Sequence, residues 1–391
     1  MTKSQPYPPP RLIFWETTAG CNLSCTHCRR ITITDQRTPQ DLSTDQSYEL
    51  IDQITSFARP ILILSGGEPL IREDIFDIAR YAHEAGLITA LATNGTLIDA
   101  EVAQRIKASG IRRVSVSFDG ADASTHDAFR GSGSYRRAME GVQRLRDVDV
   151  PYQINTTITQ HNAHQVEQML RLAKTNGAVA LHFFLLVPVG CGAEIAEDEQ
   201  ISPERYEEVL NWLYRAEKTE DLELKATCAP HYFRIVNQHR AEERKRGEHP
   251  QHPPSHHRQK QAGDHPHSSH PGGRHALNAM TKGCLAGTGV CFINHQGKVY
   301  PCGYLPLEAG DIRELPLERI WASSPLFIQL RDPDLLEGKC GRCEFKHVCG
   351  GCRARAYGAT GNFLAEEPFC SYEPETIKRG VPIEEEVSDA K

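Results

Sequence analysis

The chain has 391 residues, 39% hydrophobic and 24% charged, enough for two or three domains and a sizeable buried core. Its 44 basic residues against 51 acidic ones give a net charge of −7, which excludes a basic footprint for nucleic acid. The longest apolar run, Phe183 to Val189, is too short to span a bilayer, and the stretch from Met1 to Arg11 has no apolar signal core, so a cytoplasmic protein is expected.

From Leu12 to about Pro188, short β-branched runs alternate with amphipathic ones, the pattern of βα units around a parallel sheet. Strands are predicted at Leu12–Thr17, Ile61–Leu64, Ile88–Ala92, Arg113–Phe118, Gln153–Ile158 and Ala180–Val187. Helices are predicted over Asp45–Ala58 (capped by Ser43 or Thr44), Arg72–Ala85, Asp99–Ala108, Tyr135–Arg146 and Ala163–Thr175. Six such units imply an α/β fold, a partial (β/α)6 TIM-like barrel over residues 11–200, with ligand sites at the carboxyl ends of the strands.

Residues 201–240 read as a helical linker opened by Ser202-Pro203-Glu204. Residues 241–275 read as a His-rich disordered insertion, because this stretch carries many histidines and prolines and almost no aliphatics to bury. Ordered text returns over 276–375 as a second domain, and 376–391 reads as an acidic, frayed tail.

The 13 cysteines are too many for a reduced enzyme without metals, and their short spacings point to metal binding and not to a disulfide framework. Cys21, Cys25 and Cys28 lie just past the first predicted strand. A [4Fe–4S] cluster normally takes four thiolates, so three close ones hold it and leave one iron open to an exogenous molecule. A zinc site with a distant fourth ligand, or three bystander thiols, remains open on spacing alone. Covalent c-type haem does not fit, because Cys28 is followed by Arg29.

The C-x3-C-x2-C pattern resembles that of the radical S-adenosylmethionine (SAM) superfamily. The resemblance implies that SAM chelates the open iron and that reduction of the cluster cleaves it to a 5′-deoxyadenosyl radical. His27 departs from the aromatic residue often found before the last cysteine. Gly66-Gly67-Glu68-Pro69 resembles the motif that holds the SAM amino group. Asn94, at the third strand end, and Ser117 and Asp119, at the fourth, resemble residues that lie against the SAM ribose and methionine. Arg130 resembles the arginine that pairs with the SAM carboxylate, a bidentate contact that suits a guanidinium.

Eight further cysteines are enough for two [4Fe–4S] clusters, although paired C-x2-C steps alone also suit a zinc ribbon. Their layout resembles the SPASM extension of radical SAM enzymes, departing by one residue in the Cys349–Cys352 interval. The resemblance implies one or two auxiliary clusters, the first on Cys284, Cys291, Cys302 and Cys352 and the second on Cys340, Cys343, Cys349 and Cys370. Cys191 and Cys228 are left over.

Arg11 to Glu16, Lys225 to Tyr232, and the stretches around Met280–Cys284 and Cys291–His295 together resemble the heme synthase of the siroheme-dependent alternative heme pathway. That family implies oxidative decarboxylation of two propionates of Fe-coproporphyrin III to vinyl groups, with an electron donor and acceptor such as flavodoxin or ferredoxin. Cys228 or His231 is expected to contact the tetrapyrrole, since thiolate and imidazole are the usual axial ligands of haem iron. A related peptide maturase or heme d1 pathway enzyme is an alternative reading. So is an iron–sulfur electron carrier, although a carrier needs no SAM site.

Overall fold

A computed structural model describes residues 7–29, 36, 38–248 and 283–378. The His-rich stretch from residue 249 onward and the tail beyond residue 378 lie outside the described residues.

All six predicted strands are present: β1 (Leu12–Glu16), β2 (Ile61–Ser65), β3 (Ile88–Thr93), β4 (Arg113–Ser117), β5 (Tyr152–Ile158) and β6 (Ala180–Leu185). They pair in parallel and in sequence order. Helices α1 (Thr44–Phe57), α2 (Ile75–Glu84), α3 (Ala100–Ala108), α4 (Ala123–Arg130), α5 (Ser134–Asp147) and α6 (Val166–Thr175) connect them. Helix α1 starts on a reciprocal capping box: Ser43 accepts from the Gln46 amide while the Gln46 side chain accepts from the Ser43 amide. Between sheet and helices lies the main core, in which Ile13, Trp15, Leu62, Leu64 and Leu91 meet Leu50, Ile54, Ile78 and Ala82, all inaccessible to solvent.

Among the described residues the sheet runs to ten strands, with β7 (Glu223–Thr227) beyond β6 on one edge and β8 (Val290–Ile293), β9 (Lys298–Tyr300) and β10 (Gly310–Asp311) beyond β1 on the other. The stretch expected to be a helical linker holds α7 (Pro203–Thr219) and α8 (His231–Lys245), with strand β7 (Glu223–Thr227) between them. Strand β7 pairs in parallel with β6. It escaped prediction because Glu-Leu-Lys-Ala-Thr is poor in β-branched residues; its alternating burial appears only once β6 lies beside it. Helix α8 runs on to Lys245, so the first residues assigned to the insertion are helical. On the other edge, β8 (Val290–Ile293) pairs in parallel with β1, and β9 (Lys298–Tyr300) and β10 (Gly310–Asp311) follow antiparallel. Strand β1 is therefore flanked on both sides, as its unbroken apolar run requires.

Helices α9 (Leu317–Ser323), α10 (Pro325–Arg331) and α11 (Arg353–Thr360) belong to the C-terminal part. Among the described residues no helix is long and apolar enough to cross a membrane.

Candidate active site

The polar strand ends converge on one face, as a parallel sheet demands. Cys21–Cys28 follows β1, Gly66–Glu68 follows β2, Asn94 follows β3, Ser117 ends β4, Cys191 comes soon after β6 and Cys228 directly follows β7. The cysteine loop is braced from three sides. The Thr26 amide donates to the Phe129 carbonyl at 3.0 Å, the Cys28 amide to the Cys25 carbonyl at 3.2 Å, and the Glu68 amide to the Gly20 carbonyl at 2.7 Å. Gly66 lies so close to β1 that a Cβ there would stand 2.9 Å from the Thr18 carbonyl oxygen, which explains the glycine.

The three thiols are electrostatic neighbours of one another, with Arg130 beside Cys25. Burial pushes the Cys21 thiol up to about 11, so a metal must displace its proton. The Arg130 Nη1 stands 4.0 Å from the Cys25 sulfur and its Nε donates to Asp119. Asp119 is buried, which alone would push its carboxyl up. The Arg130 guanidinium, His27 at 3.0 Å and the Thr157 amide at 2.7 Å reverse this and hold it well below the usual carboxylate range. His27 thus takes the place of the expected aromatic residue while standing edge-on to Phe129, at 5.1 Å between ring centres.

Glu68 faces inward. Its carboxylate accepts from the Thr93 hydroxyl at 2.7 Å, the Asn94 amide at 2.8 Å and the Leu70 amide at 3.1 Å. It is fully buried, and burial pushes it up to about 7. In this state Glu68 is a strut between the ends of β2 and β3. Asn22, which the sequence reading passed over, ties the cysteine loop to the same corner: its Oδ1 accepts from Asn94 at 2.8 Å and its Nδ2 donates to Thr96 at 2.9 Å.

The C-terminal thiols fall into two groups. Cys340, Cys343, Cys349 and Cys370 line one cleft, together with His231 and Arg234. Gly351 stands there at φ +61°, where a Cβ would be 3.1 Å from the Cys340 sulfur. Cys284, Cys302 and Cys352 are electrostatic neighbours in the second group. Cys291, expected with them, is fully buried in β8, with the Arg331 guanidinium near it. Burial pushes its thiol up to about 12.

Cys228 and His231, expected at the substrate, both lie beside the C-terminal thiols. Cys228 sits with the thiols of Cys352, Cys302 and Cys284. His231 borders the four-thiol cleft, buried and with neither ring nitrogen hydrogen-bonded, and burial lowers its pKa to about 3. Tyr304, which spacing could not reveal, is buried and has Cys228, Cys302, Arg29 and Cys28 among its electrostatic neighbours. Among the described residues no group of three His, Cys, Asp or Glu side chains is placed to hold a single metal ion. Thiols spread around a cleft suit a four-iron cluster, which takes one thiolate per iron.

Comparison with known proteins agrees with this arrangement. The radical SAM superfamily model matches residues 15–173, and the SPASM iron–sulfur cluster-binding domain model matches residues 284–352. Among solved structures, Streptococcus suis SuiB bound to S-adenosylmethionine superposes with a TM-score of 0.67 at 16% identity, covering 93% of this chain and 78% of that one, a likeness of fold. The AdoMet-dependent heme synthase of Methanosarcina barkeri is 50% identical over 93% of this chain and 97% of its own length. That of Nitratidesulfovibrio vulgaris is 46% identical over 93% of each, and the pre-heme d1 synthase of Dinoroseobacter shibae 32% identical over 93% of this chain and 86% of its own. The chain belongs to the AdoMet-dependent heme synthase family of radical SAM enzymes. It is therefore an enzyme, with a SAM-binding [4Fe–4S] cluster in the barrel and auxiliary iron–sulfur binding in the C-terminal domain.

Proposed function

We propose that the enzyme oxidatively decarboxylates two propionate side chains of Fe-coproporphyrin III to vinyl groups, yielding heme b. The observation that carries this reading is the 50% identity to an AdoMet-dependent heme synthase along nearly the whole of both chains. The pre-heme d1 synthase, the nearest alternative in chemistry, stands at 32%. When bound, the barrel cluster supplies the electron that cleaves SAM and thereby the radical that takes a hydrogen atom from the propionate β-carbon.

The protein's own residues supply position and exclusion of water. Cys21, Cys25 and Cys28 hold the cluster at the strand ends. Gly66 and Gly67 let the backbone approach SAM, and Glu68 fixes the two strand ends that flank it. Asn94 and Ser117 line the same rim, and Arg130 takes the SAM carboxylate with donors that Asp119 leaves over. Each propionate loses one hydrogen atom, one electron and CO2, so one electron per vinyl group must leave the substrate. The C-terminal thiol groups offer its exit toward an external acceptor such as flavodoxin or ferredoxin, and Tyr304 neighbours both Cys28 of the barrel set and Cys302 of the C-terminal set.

The test is anaerobic incubation of the reconstituted protein with Fe-coproporphyrin III, SAM and dithionite, with mass analysis of the tetrapyrrole. Two successive losses of CO2 and two hydrogens are expected. 5′-Deoxyadenosine without a change in the tetrapyrrole overturns the substrate assignment.

A further inference from the structure

The C-terminal domain binds iron–sulfur clusters, yet the structure brings only three of the first four expected thiols together. Cys291 pairs with Ile13 of β1 in the middle of β8 and joins Ile293, Trp321 and Phe327 in the apolar core. Side chains alternate strictly along a strand, so bringing its sulfur to the other face requires a one-residue slip of β8. That slip would put Phe292 in its place and break the pairing with β1.

Cys228 has the opposite setting. It stands at the carboxyl end of β7, packed with Cys302 against Cys352 and the buried Val187 and Leu305. Its backbone lies at φ +56°, a left-handed conformation that costs a non-glycine residue energy and persists only where surroundings impose it. Here Arg355 and Tyr206 impose it, donating to the Cys228 carbonyl from Nη2 at 2.5 Å and from the hydroxyl at 3.1 Å. Arg355 also donates to Glu367 at 2.9 Å, and Glu367 accepts from the Cys352 amide at 2.6 Å. One buried ion pair thus sets the backbone of both cysteines.

We propose that Cys228, and not Cys291, is the fourth thiolate of the first auxiliary cluster, completing a set with Cys284, Cys302 and Cys352. The assignment leaves Cys191 and Cys291 outside all three cysteine sets.

The test uses the full chain with Cys21, Cys25 and Cys28 changed to alanine, so that only auxiliary iron remains, about eight per chain when both sites are filled. Iron, sulfide and the electron paramagnetic resonance spectrum of the reduced protein are then measured after adding Cys228→Ala, Cys228→Ser or Cys291→Ala. Cys291→Ala is expected to keep the iron and the spectrum. Cys228→Ala is expected to shift the g-values or to lose up to about four iron per chain. Cys228→Ser, which offers an oxygen ligand at the same place and guards against a folding defect, is expected to keep iron with shifted g-values. An unchanged spectrum in Cys228→Ser overturns the proposal, as does loss of iron in Cys291→Ala.

Discussion

Arg355 and Glu367 form an ion pair, Nε to Oε1 at 2.9 Å, with neither side chain reached by solvent. The pair joins the two groups of C-terminal thiols. On one side it holds the Cys228 carbonyl and the Cys352 amide, and on the other the Glu367 amide points at the Cys340 sulfur, 3.3 Å away. Burial would push the Glu367 carboxyl up, but the Arg355 guanidinium and the hydrogen bonds from Arg355 and the Cys352 amide keep it below its ordinary value. A buried pair with its hydrogen bonds satisfied contributes little net stability, whereas removing one partner strands the other. Arg355→Met is accordingly expected to cost about 3–5 kcal/mol of stability, measured by denaturant unfolding, and to lower iron in both auxiliary sites.

The division of labour between the cysteine sets gives a second expectation. Replacing Cys21, Cys25 or Cys28 with alanine removes SAM cleavage, because the iron that binds SAM is no longer held. Cys340→Ala or Cys343→Ala leaves SAM cleavage in place but uncoupled, with 5′-deoxyadenosine far exceeding vinyl product. Chromatographic counting of both products checks this. Equal loss of SAM cleavage in both classes of correctly folded variant contradicts it.

Asn22 joins the cysteine loop to Asn94 and Thr96 at the end of β3. Asn22→Ala removes both bonds and lets the loop and the SAM rim move apart. About tenfold weaker SAM binding is expected, equivalent to about 1.4 kcal/mol. Equilibrium binding to the reconstituted protein measures it, with iron content as the control that the cluster remains.

Tyr304→Phe tests the path between the barrel and the auxiliary thiols. SAM cleavage is expected to persist, since Tyr304 is not among the residues assigned to SAM. Vinyl formation per SAM cleaved is expected to fall severalfold. An unchanged ratio removes Tyr304 from the path.

Glu217 accepts a hydrogen bond from Tyr232 between α7 and α8. Burial pushes its carboxyl from 4.5 up to about 7, against the smaller effects of Tyr232 and Arg240. The folded chain therefore holds this proton more tightly than the unfolded one. Its stabilising effect is complete below about pH 4.5 and is lost as pH rises toward about 7. At about 1.4 kcal/mol per pKa unit the loss is up to about 3 kcal/mol. Glu217→Gln is expected to flatten this part of the stability–pH curve and to raise stability at pH 8, as measured by thermal unfolding.

The sequence made the barrel legible because β1 to β6 and their helices carry their periods locally. The barrel cysteine triad was legible for the same reason, its three thiols lying in one short loop. Strand β7 was not, because Glu223–Thr227 acquires its buried face only from β6, more than one helix away in the chain. The partners of Glu68 were also hidden: the Thr93 hydroxyl and the Asn94 amide reach its carboxylate only because β2 and β3 lie side by side. Cysteine spacing grouped Cys340, Cys343, Cys349 and Cys370, which line one cleft of the structure, three of them within one compact loop. Spacing along the chain is blind to which face of β8 the Cys291 side chain takes, and the fold buries it in the core. The nearness of Cys228 to Cys352 is a product of folding alone.

The central claim is hydrogen abstraction from the propionate β-carbon, and isotope transfer tests it most directly. Fe-coproporphyrin III deuterated at the β-carbons of the propionates is incubated anaerobically with the reconstituted enzyme, SAM and dithionite, and the 5′-deoxyadenosine is analysed by mass spectrometry. The account predicts one deuterium gained by 5′-deoxyadenosine for each vinyl group formed. Vinyl product accompanied by unlabelled 5′-deoxyadenosine would contradict it.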